Sequence, residues 1–397
     1  TEKITTTACL RCTINGWQGS YAVAASTATG GLVAINTAAP ARQYLRRILR
    51  KDMQVNLIDC YATGNVVATR DEQPCGGREA VETEARLVVV EPDYLIDVSA
   101  LAACFTDYGH HPLIYTLNRL GQRKATQAIM LGNFAGTALD DIVCCENYSF
   151  SDSLKRSFRE QAIAFLSADD FNPEQFVNES RHQTANIEEA AGELFGQYDI
   201  EKALVEPSFV CERLGLQGRV DLMTADMRLL VEQKSGRNMR IENHASVAYH
   251  ESHYIQLLLY NAMLQQNFGC NDKTIDTCLL YSRYSAREGI IRAGSDSRHL
   301  TVAMKLRNRI VSTEYWIADK GFETILPHLS IDTVYSGQQR DGFFARFVEP
   351  RTRRIETALK SLTDSERSYL CNMMTFVYRE QLAARVGRLK EGSVAMA

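Results

Sequence analysis

The strongest constraint on the fold is an apolar segment that ends in charge. Leu229-Leu230-Val231 runs directly into Glu232-Gln233-Lys234, and a β-type segment at 216–223 precedes it across a short polar turn. Two such segments predict a β-hairpin. Because side chains alternate along a strand, Glu232 and Lys234 project from the same face. A carboxylate and an ammonium group are therefore expected together at the end of a largely apolar strand.

A helix and further strands surround this hairpin. Residues 252–265 carry apolar side chains at helical spacing, and the apolar run 277–281 predicts a buried strand. Another strand is predicted at 203–210. Strands followed by a helix and then a strand are typical of an α/β core, which is the predicted fold class.

The first ninety residues have a different pattern. Short β-rich runs at 21–25, 32–36, 55–61, 65–68 and 86–90 alternate with Gly and Asn turns and predict a small β-barrel. One helix is expected among them, because Pro40 suits a first helical turn and Tyr44, Leu45 and Ile48 follow at helical spacing.

After residue 92 the pattern becomes helical. Helices are predicted near Ser99, after Pro112, and at 127–145, 152–166, 173–178 and 186–195, with a mostly helical tail at 355–389. A chain of 397 residues is expected to form two or three domains. We predict a β-rich domain at 1–92, a core domain at 93–350 and a helical tail at 351–397.

Composition excludes several classes of protein. With 45% hydrophobic and 23% charged residues the chain is globular, and no run approaches the roughly 18 apolar residues of a membrane span. The first residues lack the pattern of a secretory signal, and the absent initiator Met predicts a fragment. A formal charge of −4 neither points to nucleic acid as a partner nor excludes it. Basic runs at 46–51 and 351–354 are phosphate contacts or solvated faces.

Eleven cysteines are spread from Cys9 to Cys371. An odd number over this length predicts reduced thiols in the cytoplasm rather than a disulfide framework. Cys9 and Cys12 form a CxxC pair, but no second CxxC lies at zinc-ribbon spacing. We therefore expect structural thiols.

The hairpin carries groups suited to metal-dependent chemistry. Asp221 ends the run Gly218-Arg219-Val220-Asp221 on the partner strand, so its carboxylate is expected beside Glu232 and Lys234. Hard divalent cations prefer carboxylate oxygens, activate water and polarise phosphoryl groups. A lysine is able to orient that water or to neutralise charge developing on a phosphate. A salt-bridged surface hairpin would show the same pattern, so that alternative stays open.

Gln256 and Tyr260 lie four residues apart and share one face of the following helix, where such a pair is usually only a polar edge. Their order after Asp221, Glu232 and Lys234, and before an apolar strand, resembles the RecB-like branch of the PD-(D/E)XK nucleases. That resemblance implies a restriction-endonuclease-like core with helical insertions. It also implies that Asp221 and Glu232 bind Mg²⁺ or Mn²⁺ while Lys234 assists the attacking water.

The same resemblance implies further roles. The backbone carbonyl of Gln233 is a usual additional metal ligand, and Gln256, Tyr260 and Arg219 contact or support the substrate strand. Glu206 is similar to an upstream acidic ligand of this branch, or it is simply an exposed loop residue.

A closer similarity covers roughly residues 50–285. The run at 87–96, then Ser99 and Cys104, then Met130-Leu131-Gly132 opening a helix, resembles the nuclease half of the nuclease–helicases that trim single-stranded flaps. In that group a small OB-like β-barrel precedes the nuclease core. The first forty residues carry no such match.

Two departures from that group matter. Gly136 stands where members usually place a metal-binding His, and Asp140, one turn further on, is a substitute ligand or an exposed helical Asp. Many relatives hold a [4Fe–4S] cluster, for which Cys104 matches one ligand. Cys371 stands alone where three clustered cysteines are required, so we expect no iron–sulfur cluster.

Two other features concern a motor domain and a zinc site. The chain has no GxxxxGK[ST] phosphate loop, so the helical tail is expected to lead to a helicase region outside it. His250 and His253 are expected to be polar-face or DNA-proximal residues rather than a zinc pair.

The leading hypothesis is a Mg²⁺- or Mn²⁺-dependent deoxyribonuclease, of exonuclease type, that acts on single-stranded DNA ends or flaps in DNA replication and repair. Its expected partners are single-stranded DNA and a helicase domain, with no membrane. The alternative is a catalytically degenerate nuclease fold that binds DNA or a helicase. Phosphate chemistry directed at RNA also stays open.

Overall fold

A closed barrel of five strands forms the N-terminal part of the chain. The computed structural model describes residues 6–69, 79–121, 124–145, 147–239, 249–270, 274–336 and 342–387. The barrel strands follow the order β1-β2-β3-β5-β4 and enclose alternate apolar side chains, among them Ile14, Ile35 and Leu57. Their bounds are β1 Thr7–Gln18, β2 Tyr21–Ser26, β3 Leu32–Asn36, β4 Gln54–Ala68 and β5 Glu79–Val90.

The predicted small barrel is confirmed, with corrections to its parts. β1 was not predicted, because its polar residues and a register shift between Ile14 and Gly16 obscure the alternation. The runs predicted at 55–61 and 65–68 form the single strand β4, which contains a bulge between Ala62 and Val66. The helix expected from Pro40 is only the short turn Leu45–Ile48.

A mixed sheet of five strands carries the hairpin predicted from the sequence. Its order is β15-β14-β13-β12-β9, with β12 and β13 antiparallel and β13 and β14 parallel. The helix Glu251–Phe268, here called the crossover helix, joins the parallel pair. The strand bounds are β9 Ala203–Val205, β12 Leu222–Thr224, β13 Leu229–Lys234, β14 Asp276–Tyr281 and β15 Ile290–Arg292.

Helices cover both faces of this sheet. Leu229 and Val231 of β13 pack against the helices Gln127–Cys144 and Pro173–Phe195, here called the outer helices. Leu230 points the other way, toward the crossover helix. This alternation places Glu232 and Lys234 on the crossover-helix face and Gln233 on the outer-helix face.

Short strands and further helices complete the described fold. Two small sheets contain β6 Ile96–Asp97, β10 Ser208–Cys211 and β11 Leu216–Arg219, and β7 Phe105–Thr106 with β8 Gly109–His110. The other helices are Val98–Ala102, Pro112–Leu120, Phe150–Glu160, Ala162–Ser167, Ala286–Gly289, Ser297–Lys320, Ile331–Val334, Glu349–Lys360 and Asp364–Val386. Shorter 3₁₀ or π turns occur at Ile200–Lys202, Phe322–Thr324, Leu326–His328 and Phe344–Val348. Among all described helices, none combines the length and apolarity needed to cross a membrane.

Several predicted bounds were wrong. The strand expected at 203–210 breaks at Glu206, whose φ of +49° is followed by Pro207, and the strand expected at 216–223 breaks before Leu222. The two helices predicted at 173–178 and 186–195 are one helix, because the polar residues between them, such as Gln183 and Thr184, are buried rather than in a loop. The helix predicted at 152–166 is interrupted at Gln161.

The tail is helical from Glu349 to Val386 apart from a turn near residue 362, and its predicted end at 389 lies outside the described residues. The helix Ser297–Lys320, here called the long helix, had no sequence prediction. The proposed division at residues 92 and 350 stays a prediction.

Arg307 of the long helix binds the end of the barrel and the segment that leaves it. It is fully buried and donates hydrogen bonds to the carbonyls of Val90, of Glu91 at 2.9 Å and of Tyr94 at 2.7 Å. A Cβ atom on Gly215, whose φ is +62°, would lie 2.2 Å from Arg307 Nη2. Glycine is therefore required at 215 for the guanidinium to reach these carbonyls.

We expect Arg307→Ala to lower the free energy of unfolding by about 3 kcal/mol or more, because several buried carbonyls lose their donor. Urea denaturation measures this change. Arg298→Ala, an exposed position on the same helix, is the matched control and should change stability by less than ~0.5 kcal/mol. Equal losses in the two variants would contradict the role assigned to Arg307.

Candidate active site

The candidate site forms where β12 stops pairing with β13. The last backbone partners are Leu222 and Val231, so the N–H of Gln233 has no strand beside it on that side. The side chain of Asp221 replaces the missing strand, since its Oδ2 accepts from the Gln233 N–H at 2.7 Å. This arrangement brings Asp221 to the end of β13, as the hairpin predicts.

Glu232 is buried, with 2% of its surface exposed. Its Oε1 accepts hydrogen bonds from Lys234 Nζ at 2.7 Å and from Gln256 Nε2 at 2.5 Å, and Lys234 Nζ also donates to Gln256 Oε1 at 3.1 Å. Its second oxygen, Oε2, accepts no hydrogen bond from any described residue. A salt-bridged surface hairpin does not describe this position, because the carboxylate lies inside the protein.

Two carboxyl groups with raised pKa values meet here. Burial, augmented by the negative charge of Asp221, raises the pKa of Glu232 to about 8, although Lys234 opposes the shift. Burial also raises the pKa of Asp221, against the lowering effects of Lys234 and the Gln233 N–H. One ammonium group therefore does not compensate two desolvated carboxylates, and a proton or a cation is needed as well.

Tyr260 supports the segment that carries Asp221. It is 2% exposed, and its hydroxyl donates to the backbone carbonyl of Arg219 at 2.7 Å. A Cβ atom on Gly218 would lie 2.7 Å from Tyr260 Cε1, so only glycine allows this close approach. The buried Tyr260 thus holds the backbone of the site, while the side chain of Arg219 is exposed.

Further acidic residues lie at the rim. Burial first, and then the charges of Glu206 and Asp221, raise the pKa of Asp140 to about 7, so the structure brings Asp140 into the electrostatic field of the site. It is half-buried rather than an exposed helical residue. Glu206 is exposed and forms an ion pair with Arg219 at 2.8 Å.

Gly136, at the position of the expected His, faces the Gln233 side chain. A Cβ atom added there would lie 3.9 Å from Gln233 Oε1, which is an ordinary contact. Gln233 Nε2 donates to Ser282 Oγ at 2.8 Å, so its amide is held in the outer-helix layer. The metal role of the Gln233 backbone carbonyl stays a prediction.

Two histidines sit beside the site with protein partners. His253 Nδ1 hydrogen-bonds the hydroxyl of Tyr281 at 2.8 Å, and Tyr281 is the strand partner of Lys234. Burial, followed by the charge of Lys234, lowers the pKa of His253 to about 3. His250 Nδ1 lies 3.6 Å from Asp107 Oδ1.

The contacts that Tyr281 and Asp107 make with these histidines were not predicted from the sequence. His253 does lie three residues before Gln256, on the same side of the crossover helix, and that spacing was an available signal for Tyr281. For Asp107 the sequence offered no comparable signal.

The donor set fits a hard cation with few protein ligands. Over the described ranges, no group of three or more His, Cys, Asp or Glu side chains is arranged to hold a metal ion. Mg²⁺ commonly binds through one or two carboxylates and retains several waters. The paired carboxyl groups of Asp221 and Glu232, with the unpartnered Glu232 Oε2, match that requirement.

Comparisons with known proteins add no assignment. No family model matches this chain, and no curated protein is significantly similar to it. The geometry of the site therefore carries the functional argument.

Stability should depend on pH and Mg²⁺ through Glu232. Its pKa is higher in the folded than in the unfolded chain, so the folded state binds more protons and the free energy of unfolding contributed by this group falls between about pH 5 and pH 8. Mg²⁺ should oppose that loss near pH 8 and have little effect near pH 5, where Glu232 is protonated. Urea denaturation with Mg²⁺ or EDTA measures both effects.

Glu232→Gln is the control, because groups such as His253 titrate in both proteins and cancel in the difference. In the variant, the part of the free energy of unfolding that falls between about pH 5 and pH 8 should disappear. Most of the stabilisation by Mg²⁺ near pH 8 should disappear with it. An equal Mg²⁺ stabilisation of the two proteins would rule out Glu232 as a ligand.

Proposed function

We propose that this chain is a metal-dependent nuclease of the RecB-like PD-(D/E)XK type. It hydrolyses phosphodiester bonds of single-stranded DNA ends or flaps, as the nuclease part of a nuclease–helicase in DNA replication and repair. The observation that carries the proposal is the buried Glu232 carboxylate, which lies beside Asp221 and is ion-paired to Lys234 at 2.7 Å.

In this proposal Asp221 and Glu232 hold Mg²⁺ or Mn²⁺, with Asp140 and Glu206 as further ligands at the rim. An ion held there would lower the pKa of a bound water and offset negative charge on the phosphate. Lys234 is held by Glu232 and Gln256, so its ammonium group has a fixed position from which to orient water or neutralise developing charge.

The surroundings support the same assignment. A parallel strand pair joined by a helix, with helices on both faces, suits a PD-(D/E)XK core, and the closed N-terminal barrel suits the OB-like domain of the flap-processing group. Tyr260 and Gln256 occupy adjacent turns of the crossover helix. Both contact the elements that carry Asp221, Glu232 and Lys234.

A degenerate nuclease fold that binds DNA or a helicase is the second candidate. It is favoured by Gly136, which supplies no imidazole next to Gln233. The half-buried Asp140 weighs against it, because a carboxyl group with a raised pKa near Asp221 is an alternative oxygen ligand.

We expect wild-type protein to cleave end-labelled single-stranded DNA with Mg²⁺ or Mn²⁺ but not with EDTA. Lys234→Ala should reduce the cleavage rate by about 10²- to 10³-fold, because a fixed positive charge is lost at the reacting phosphate. Lys320→Ala, a half-exposed lysine on the long helix, should cleave at the wild-type rate. Equal rates for wild type and Lys234→Ala would refute the proposal.

Calorimetric titration with Mn²⁺ separates the two candidates. The wild type should show a saturable site that Asp221→Asn abolishes, whereas a binding-only module would show none.

Gly136→His should tighten Mn²⁺ binding, because the added Cβ fits and the imidazole adds a nitrogen ligand. If Gly136→His binds Mn²⁺ with the wild-type affinity while Asp221→Asn still abolishes binding, then position 136 does not face the ion.

A further inference from the structure

A cleft of about 480 Å³ opens beside the candidate site. Its lining includes Ser235, Gly236 and Arg237, which follow Lys234 directly, and Arg283, which follows the end of β14. Asp221 and Glu232 do not line it. The volume lies in the usual range of ligand sites, about 300 to 1,000 Å³.

Two arginines enter this cleft from neighbouring parallel strands. β13 ends at Lys234 and β14 at Tyr281, and these residues are paired in register. Arg237 and Arg283 therefore follow the carboxyl ends of adjacent strands, the edge at which α/β sheets commonly bind ligands. The planar guanidinium group is suited to phosphate oxygens.

A buried polar network fixes the turns that carry these arginines. Ser282 Oγ accepts from Gln233 Nε2 at 2.8 Å and donates to Gln183 Oε1 at 2.7 Å, while Gln183 Nε2 donates to the Ser235 carbonyl at 3.0 Å. Gln183 is 2% exposed and Ser282 is fully buried. The cleft is therefore held in a fixed position relative to Lys234, because the network includes Gln233, the residue before it.

Two carboxylates also line the cleft, and each has a polar partner. Asp170 Oδ1 accepts from the backbone N–H of Gln127 at 2.9 Å, at the start of an outer helix. Glu179 accepts from Gln175 Nε2 at 3.0 Å. Glu179 would repel a phosphate in the cleft. Removing its charge should therefore strengthen binding, whereas removing an arginine should weaken it.

We propose that this cleft binds a phosphodiester of the single strand next to the one hydrolysed, with Arg237 and Arg283 as its phosphate contacts. The inference rests on the proposed nuclease function and identifies the path of the strand away from Lys234. Arg237 and Arg283 are binding residues here, because neither lies among the groups assigned to the reacting phosphate.

The test is the binding of fluorescein-labelled oligothymidine, measured by fluorescence anisotropy in EDTA so that no cleavage occurs. Arg237→Ala and Arg283→Ala should each raise Kd about tenfold and reduce the slope of log Kd against log salt by about 0.7. Glu179→Gln should lower Kd. Arg283→Lys should bind between wild type and Arg283→Ala, because it keeps the charge without the planar fork.

Arg287→Ala is the matched control, because Arg287 is an exposed arginine just beyond the cleft and does not line it. It should bind as the wild type does, and all variants should melt at the wild-type temperature.

Two results would overturn the inference, and they are distinguishable. In the first, the wild type cleaves DNA but the double variant Arg237→Ala/Arg283→Ala keeps the wild-type Kd and salt slope. That result would exclude the cleft as a binding site for the strand and leave the proposed function intact. In the second, the wild type neither binds nor cleaves the oligonucleotide, which would refute both the proposed function and the role of the cleft.

Discussion

The buried guanidinium of Arg307 is the contact on which the packing of the long helix against the end of the barrel depends. It is fully buried and donates hydrogen bonds to carbonyls at the end of β5 and in the segment that leaves the barrel. The next residue, Asn308, adds hydrogen bonds to the N–H of Val90 at 2.9 Å and the carbonyl of Val88 at 2.7 Å. A loop that turns from barrel to core would otherwise bury several unpaired polar groups.

That contact also reaches the candidate site through the backbone. Gly215 lies against Arg307 and immediately precedes β11, and β11 carries Gly218 and Arg219, where Tyr260 fixes the chain. Asp221 follows two residues later. The backbone that leads to Asp221 therefore makes two close approaches at glycine, one to Arg307 of the long helix and one to Tyr260 of the crossover helix.

The sequence predicted the centre of this site better than its surroundings. Period-two alternation was enough to place Glu232 and Lys234 together, because both lie on one short strand. The break before Leu222 was not predictable from alternation, since it depends on Asp221 replacing a strand partner for Gln233. The long helix was missed although its buried apolar residues, such as Leu300, Met304 and Val311, recur at helical spacing. The burial of Arg307 among them was not predictable, because only the carbonyls around the guanidinium make that burial tolerable.

The candidate cleft was missed for a related reason. Ser235, Arg237 and Arg283 lie in turns, where periodicity carries no information, and they approach one another only because β13 and β14 are parallel neighbours.

The acidic rim of the candidate site was predicted only in part. Asp140 was proposed from helical spacing, but its burial and its coupling to Asp221 require the outer helix to pack against the open end of β13.

The charge balance at the site requires more than a structural ion pair between Glu232 and Lys234. A structural pair needs one carboxylate for Lys234, and Glu232 already supplies it through Oε1. Asp221 and the half-buried Asp140 add further carboxyl groups whose pKa values are raised, chiefly by burial, while Glu232 Oε2 is left without a donor. Desolvated, unpaired carboxylates destabilise a fold unless a ligand compensates them. A proton or a divalent cation would compensate them; under the proposed nuclease function the cation does so, and Lys234 is then available to act on a bound phosphate.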